Sequence, residues 1–129
     1  MEPAQYLIDT NAIIDYLGKK FSPNGMVFMN DVIDVIPNVS IITKIEVLGF
    51  NTLEKHYQIL ANLMNDAIII DLTSYIADMT IIIRKTCTIK LPDAIIAATA
   101  LVKNLTLITH NKKDFKNIKG LKIIDAHEI

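Results

Sequence analysis

The sequence predicts an α/β fold in three layers, α/β/α, with a central parallel sheet covered by helices on both faces. Three observations predict it. Short, nearly unbroken apolar runs recur at Gln5–Ile8, Val39–Ile42, Ala67–Leu72, Leu105–Thr109 and Leu121–Ile124, as strands buried on both faces do. Between them lie stretches with apolar residues at helical spacing. Strands that alternate with helices in this way form a parallel sheet, because each crossover needs a helix. The composition agrees: 51% hydrophobic residues and a mean hydropathy of +0.35, leaning on Ile and Leu.

Taken in order, Gln5–Ile8 is the first strand and Asn11–Leu17 a helix closed by Gly18. Lys19–Gly25, with Ser22, Pro23 and Gly25, reads as a loop. Met26–Val35 is a helix that ends before Pro37. Val39–Ile42 is the second strand, followed by a helix from Lys44 to about Phe50. Thr52–Asn65 has helical periodicity, and Ala67–Leu72 is a continuous apolar strand. Ser74–Lys85 reads as helix despite its Ile run. Pro92–Lys103 is a helix with proline in the first turn, where the missing N–H costs nothing. Leu105–Thr109 and Leu121–Ile124 complete the sheet. With 129 residues and no linker, repeat or low-complexity stretch, residues 1–129 are expected to form one domain.

Composition bounds the function. No stretch approaches the roughly 20 apolar residues of a membrane helix, since Ala94–Val102 stops at Lys103. Tyr6–Ile8 is too short for a signal-peptide core. The single cysteine, Cys87, excludes an internal disulfide and favours a cytoplasmic location. A net charge of −1 conceals an asymmetry: Lys103, Lys112, Lys113, Lys116, Lys119 and Lys122 face only Asp114. Such a strip is either a solvated surface or a rim that attracts phosphates.

Four acids stand where apolar runs give way to turns and helix starts: Asp9 in YLIDTN, Glu46 in SIITKIEV, Asp93 in KLPDAIIAATA and Asp114 in LITHNKKDF. In an α/β fold the carboxyl ends of the strands share one edge, where ligands bind. Carboxylates gathered there repel one another unless a cation intervenes, and all-oxygen donors suit Mg²⁺ or Mn²⁺. Each acid also has a capping explanation. Thr43 to Glu46 has capping-box spacing, Asp93 suits a helix N-terminus, Asn111 to Asp114 is cap-like, and Asp9 can cap the first helix. The two roles are compatible. Thr10, Asn11, Ser40, Thr43, Thr109 and Asn111 cluster near the acids as accessory groups able to orient carboxylates or hold water, or as ordinary turn residues. Asp71 reads as structural, Asp15 as an exposed helix residue, and Cys87 as core. His110 reads as a polar turn residue that can reach substrate, whereas His56 and His127 have no partner pattern.

These segments, with GLKIID after them, resemble a PIN-domain ribonuclease, specifically a VapC-type toxin of the VapBC toxin–antitoxin systems. The resemblance spans essentially the whole chain in length and element order and rests on IDTN, ITKIEVLGF, LPDAIIAATA and LITHNKKDF in sequence. It implies a PIN-like fold in which Asp9, Glu46 and Asp93 match the family's acidic metal positions. The fourth position varies within the family: some members place an acid where Asn111 stands, others at the Asp before Phe. Asp114 is therefore the expected fourth acid, with Asn111 accessory. The resemblance further implies Mg²⁺- or Mn²⁺-dependent hydrolysis of RNA to 5′-phosphate and 3′-hydroxyl ends. Flanking phosphates would lie near Lys112, Lys113 and Lys116. The implied partner is a VapB-type antitoxin, and the apolar richness is compatible with a covered groove and a homodimer.

Two rivals remain at this level. A phosphotransferase needs paired acids that the chain lacks, since Asn11 stands two residues after Asp9. A non-catalytic PIN-like module that binds RNA or protein would have no need of four acids.

Overall fold

The computed structural model describes residues 5–129. Five strands, β1 (Tyr6–Ile8), β2 (Asn38–Ser40), β3 (Ile68–Ile70), β4 (Thr106–Ile108) and β5 (Ile123–Ile124), form one sheet in the order β3-β2-β1-β4-β5. Every pairing is parallel, with Leu7 opposite Leu107 and Val39 opposite Ile69. Seven α-helices connect them: α1 (Thr10–Leu17), α2 (Pro23–Asp34), α3 (Ile41–Leu48), α4 (Glu54–Asp66), α5 (Ser74–Thr86), α6 (Leu91–Lys103) and α7 (Lys112–Phe115). A 3-10 turn, Ala126–Glu128, follows β5. The expected three-layer architecture is the one observed.

Period-two alternation of the strands divides the core. Leu7 and Leu107 join α5 and α6 residues such as Ile76, Ile83 and Ile96 on one face. Ile8, Val39 and Ile108 join Ile13, Met29, Leu60 and Met64 of α1, α2 and α4 on the other. Helix α6 is buried continuously from Ala94 to Ala100, and its run of alanines lets it lie close to the sheet. It ends at Asn104, whose φ of 54° is the left-handed conformation that asparagine tolerates at a helix end.

The chain winds outward from β1 to β2 and β3, then returns across the sheet to β4 on the far side of β1. The direction of winding therefore reverses between β1 and β4. In open α/β sheets this reversal opens a crevice at the carboxyl ends of the strands.

Several sequence-based boundaries move. Ile41 and Ile42 belong to α3 and not to the second strand, because Ser40 caps the helix by accepting from Ile42 N at 3.1 Å. The capping box predicted for Thr43 and Glu46 is thereby replaced, and both residues lie inside the helix. The loop predicted through Gly25 ends at Ser22, whose hydroxyl caps α2 by accepting from Gly25 N. Gly25 itself lies against the 3-10 turn: a Cβ there would come within 2.5 Å of the Ala126 carbonyl oxygen. Helix α4 begins at Glu54, two residues later than periodicity suggests. The short α7 and the C-terminal 3-10 turn were not anticipated. Thr73 caps α5 as expected, accepting from Ile76 N. Asp71 is exposed beyond β3.

Candidate acidic site at the crevice

Asp9 sits at the crevice, directly after β1. Its backbone N–H donates to the Ile108 carbonyl of β4 at 3.0 Å, which ties it to the point where the winding reverses. The side chain caps α1: Oδ1 accepts from Thr10 N at 2.8 Å. Oδ2 accepts from the Thr109 hydroxyl, also at 2.8 Å. Thr109 is fully buried and accepts in turn from Asn111 N. The carboxylate is thus locked in a single orientation although only 6% of the residue is exposed.

The other acids come from three different elements. Glu46 projects from α3 and bonds the Thr10 hydroxyl at 2.7 Å. Asp93 lies half-buried in the first turn of α6, just after Pro92. Asp114 is exposed on α7, where the Asn111 side-chain amide donates to its Oδ2. Asn11 is exposed on the first turn of α1.

Electrostatics binds the four together. Burial pushes the Asp9 carboxyl above the usual 3.8, against the opposing effect of its bonds from Thr109 and Thr10. The charges of Asp93 and Glu46 push it further. Asp93 is also raised, by burial first and then by Asp114 and Glu46, with only Lys90 acting in the other direction. Asp9 and Asp93 therefore each feel two neighbouring acids, and Lys90 is the one cation that acts on Asp93. All the donors are oxygens, which fits a hard divalent ion and not a soft one. Among the described residues no group of three His, Cys, Asp or Glu side chains is arranged so that it could hold a metal ion.

A pH dependence follows. Between 3.8 and the raised values, the folded state holds more protons on Asp9 and Asp93 than the unfolded chain does. Stability accordingly falls as pH rises through that window, and the full penalty is present above it. Melting curves from pH 4 to 7 without divalent ions are expected to show this loss as a contribution of these two groups. The same series with Mg²⁺ is expected to recover stability mainly at the upper end, where the acids are ionised. A Mg²⁺ effect equally large at pH 4 and pH 7 would contradict the assignment.

Beside the acids lies a network that sequence reasoning did not find. Asp15, expected to be exposed, instead bonds His127 Nε2 at 2.9 Å. His127, expected to have no partner, also stacks near Phe21 and His110, with ring centroids at 4.3 and 4.5 Å. His110 Nδ1 bonds the buried Asp125 at 2.9 Å, and Asp125 caps the 3-10 turn by accepting from His127 N. The network fastens the C-terminal turn to α1 and to the end of β4. Asp125 ends the apolar run KIID just as Asp9 ends YLID, so one signal was available. Lys112 is already paired with Glu128 at 2.6 Å, while Lys113 and Lys116 are exposed on and just after α7.

Comparison with known proteins agrees with this architecture. The family described as PIN domain matches residues 6–121. A toxin–antitoxin complex from Klebsiella pneumoniae contains a chain 31% identical to this one, covering 97% of this chain and 100% of its own, with a TM-score of 0.75. VapBC-1 from nontypeable Haemophilus influenzae is 26% identical over 94% of this chain and 97% of its own, at a TM-score of 0.73. DNA-bound VapBC from Salmonella typhimurium, 22% identical over 96% and 99%, shares the fold at a TM-score of 0.80. No curated protein sequence matches. A profile spanning nearly the whole chain, and a relative of the same length at 31% identity, leave one assignment: the chain belongs to the PIN-domain family.

Proposed function

We propose that this protein is a Mg²⁺- or Mn²⁺-dependent endoribonuclease that hydrolyses RNA phosphodiester bonds as the toxin of a type II toxin–antitoxin pair. One observation carries the reading: Asp9, directly after β1 at the crevice beside β4, is near enough to Asp93 of α6 and Glu46 of α3 to feel their charges, and Asp93 feels Glu46 and Asp114 of α7 as well. Such an arrangement costs stability unless it serves to hold a cation.

Asp9 and Asp93 are the residues that would hold the ion, because they are the more buried pair and lie on rigid elements. Glu46 and Asp114 complete the shell or orient the attacking water. A bound divalent ion supplies Lewis-acid polarisation of the scissile phosphate and a lowered pKa for water. Thr109 and Thr10 N–H keep the Asp9 carboxylate aimed, so no reorganisation is needed when substrate arrives. Lys113 and Lys116, with Lys112 once released from Glu128, contact flanking phosphates and add affinity without sequence choice.

The relatives that occur in toxin–antitoxin complexes support a VapB-type antitoxin as the protein partner. An apolar groove of ≈ 260 Å³ between α1 and α4, lined by Ile14, Leu17, Phe50, Ile59 and Leu60, is a suitable seat for an apolar partner segment. A homodimer would cover further exposed apolar residues such as Tyr75 and Ile82 of α5. No helix among the described residues is long and apolar enough to cross a membrane, and we assign the activity to the cytoplasm, where RNA substrate is present.

The test is cleavage of end-labelled RNA by the purified chain with Mg²⁺, with Mn²⁺ and with EDTA. Expected are metal-dependent cuts leaving 5′-phosphate and 3′-hydroxyl ends. Cleavage that persists in EDTA, or that leaves 2′,3′-cyclic phosphates, would reject the mechanism.

A further inference from the structure

Asp125 is a buried carboxylate whose side-chain partner is an exposed imidazole. Its side chain is 2% accessible, whereas that of His110 is 66% accessible. Burying a carboxylate is unfavourable unless its oxygens are bonded, and here both are. Oδ1 accepts from His127 N at 2.9 Å, and Oδ2 meets His110 Nδ1 at 2.9 Å. Capping the 3-10 turn requires only the first bond, which a serine or asparagine could also make. The second oxygen is what fixes the His110 ring. His127 packs beside that ring, with centroids 4.5 Å apart, and is itself held by Asp15 and Phe21. His110 is thus fixed at one edge and flanked by a second ring, although most of it is open to solvent.

An ionised carboxylate can only accept, so His110 Nδ1 carries the proton of the bond to Asp125. In the neutral ring Nε2 is then a bare acceptor, and among the described residues nothing bonds to it. The loop that carries this ring is part of the acidic site. Thr109, just before it, donates to Asp9, and Asn111, just after it, donates to Asp114. We propose that His110 contacts the RNA substrate, its Nε2 accepting a hydrogen bond from a ribose 2′-hydroxyl beside the scissile phosphate. Asp125 is the positioning residue that fixes the required tautomer. The contact rests on the proposed nuclease reading; the tautomer does not.

The chemistry of a lone acceptor selects the group it meets. Phosphate oxygens are acceptors too, and a ring-nitrogen lone pair repels them; the exposed Lys113 and Lys116 suit them better. Along an RNA backbone the 2′-hydroxyl is the donor that recurs at every nucleotide, and DNA lacks it. A contact of this kind distinguishes ribose from deoxyribose without reading a base. The same logic says how to reverse it. In Asp125→Asn the side-chain oxygen can still accept from His127 N, so the cap is kept. The amide N–H then faces His110 Nδ1, which must become the acceptor, and the ring proton moves to Nε2.

Two measurements test this. Long-range proton–nitrogen correlations of the imidazoles, recorded without metal at a pH that keeps the rings neutral, report which nitrogen holds each proton. The parent is expected to show Nδ1–H for His110 and Nε2–H for His127, which bonds Asp15 through Nε2. Asp125→Asn should move the His110 proton to Nε2 and leave His127 unchanged. The second measurement is cleavage of an RNA oligonucleotide carrying single 2′-deoxy nucleotides, placed in turn across the cut. One position is expected to slow the parent ~3- to 10-fold, the effect of one ordinary hydrogen bond. His110→Ala and Asp125→Asn should cut the all-ribose substrate more slowly by a similar factor and be indifferent to that substitution. A parent already protonated at Nε2, a parent insensitive to every deoxy position, or a sugar preference that survives in His110→Ala would overturn the proposal. A parent that cuts no RNA would overturn the nuclease reading and the sugar contact with it, while the nitrogen spectra would still decide the role of Asp125.

Discussion

Asp93→Asn is expected to lower metal-dependent RNA cleavage by on the order of 10³-fold or more, with the fold intact. The asparagine keeps the volume and removes the charge. Among the described residues no side chain hydrogen-bonds the Asp93 carboxylate, so its loss strands no partner. Its removal also relieves the repulsion that Asp9, Glu46 and Asp114 now share. Against this relief stands the loss of a negative charge at the α6 N-terminus, worth ~0.3–1 kcal/mol, so the metal-free melting temperature is expected to stay within a few degrees of the parent. The decisive comparison is the Mg²⁺-induced shift. An ion at tenfold its Kd stabilises the parent by about 1.4 kcal/mol, and Asp93→Asn should lose most of that. Asp9→Asn is a less clean probe, because an amide cannot accept from both Thr10 N and Thr109 as the carboxylate does. It should lose cleavage and some stability together. An Asp93→Asn protein that cuts RNA at the parental rate would remove the acidic site as the seat of activity.

The features that local chemistry writes strongly were legible in the sequence. Short unbroken apolar runs, such as those ending at Ile8 and Thr109, placed all five strands. Pro92 and the alanine run marked α6. The acids were found because each ends an apolar run or opens a helix, which is a statement about neighbours along the chain. Failures occurred where two local rules compete or where partners are far apart. Ser40 and Thr43 are both good helix caps, and only the end of pairing with Ile70 decides for Ser40. The Ile41–Ile42 pair has strand-like composition, yet packing of α3 across the strand ends overrides that preference. Asp15 and His127 are separated by 112 residues, a distance at which no spacing rule operates. The same limit hid the meeting of Thr10 and Thr43, whose companionship to the acids was visible but whose contact was not.

Phe115→Ala is expected to be the most destabilising single change near the site, costing ~3–5 kcal/mol. Phe115 is 1% exposed and fills the α5–α6 side of the core together with Ile118. In a domain of this size that cost corresponds to a fall in melting temperature of roughly 10–25 °C. The local consequence matters as much as the global one. Helix α7 has four residues, far too few to persist without tertiary support, and Phe115 is its one buried residue. Asp114 immediately precedes it, so the anchor that holds α7 also holds the fourth carboxylate. Phe115→Leu, which retains much of the apolar volume, should cost far less and keep α7 in place. Well below its own melting temperature, Phe115→Ala should therefore resemble Asp114→Ala in cleavage rate and metal affinity, while Asp9 and Asp93 continue to bind. A Phe115→Ala protein that melts within about 1 kcal/mol of the parent would show that α7 is held by something else. Parental Mn²⁺ affinity in Phe115→Ala beside a weakened Asp114→Ala would separate the carboxylate from its anchor.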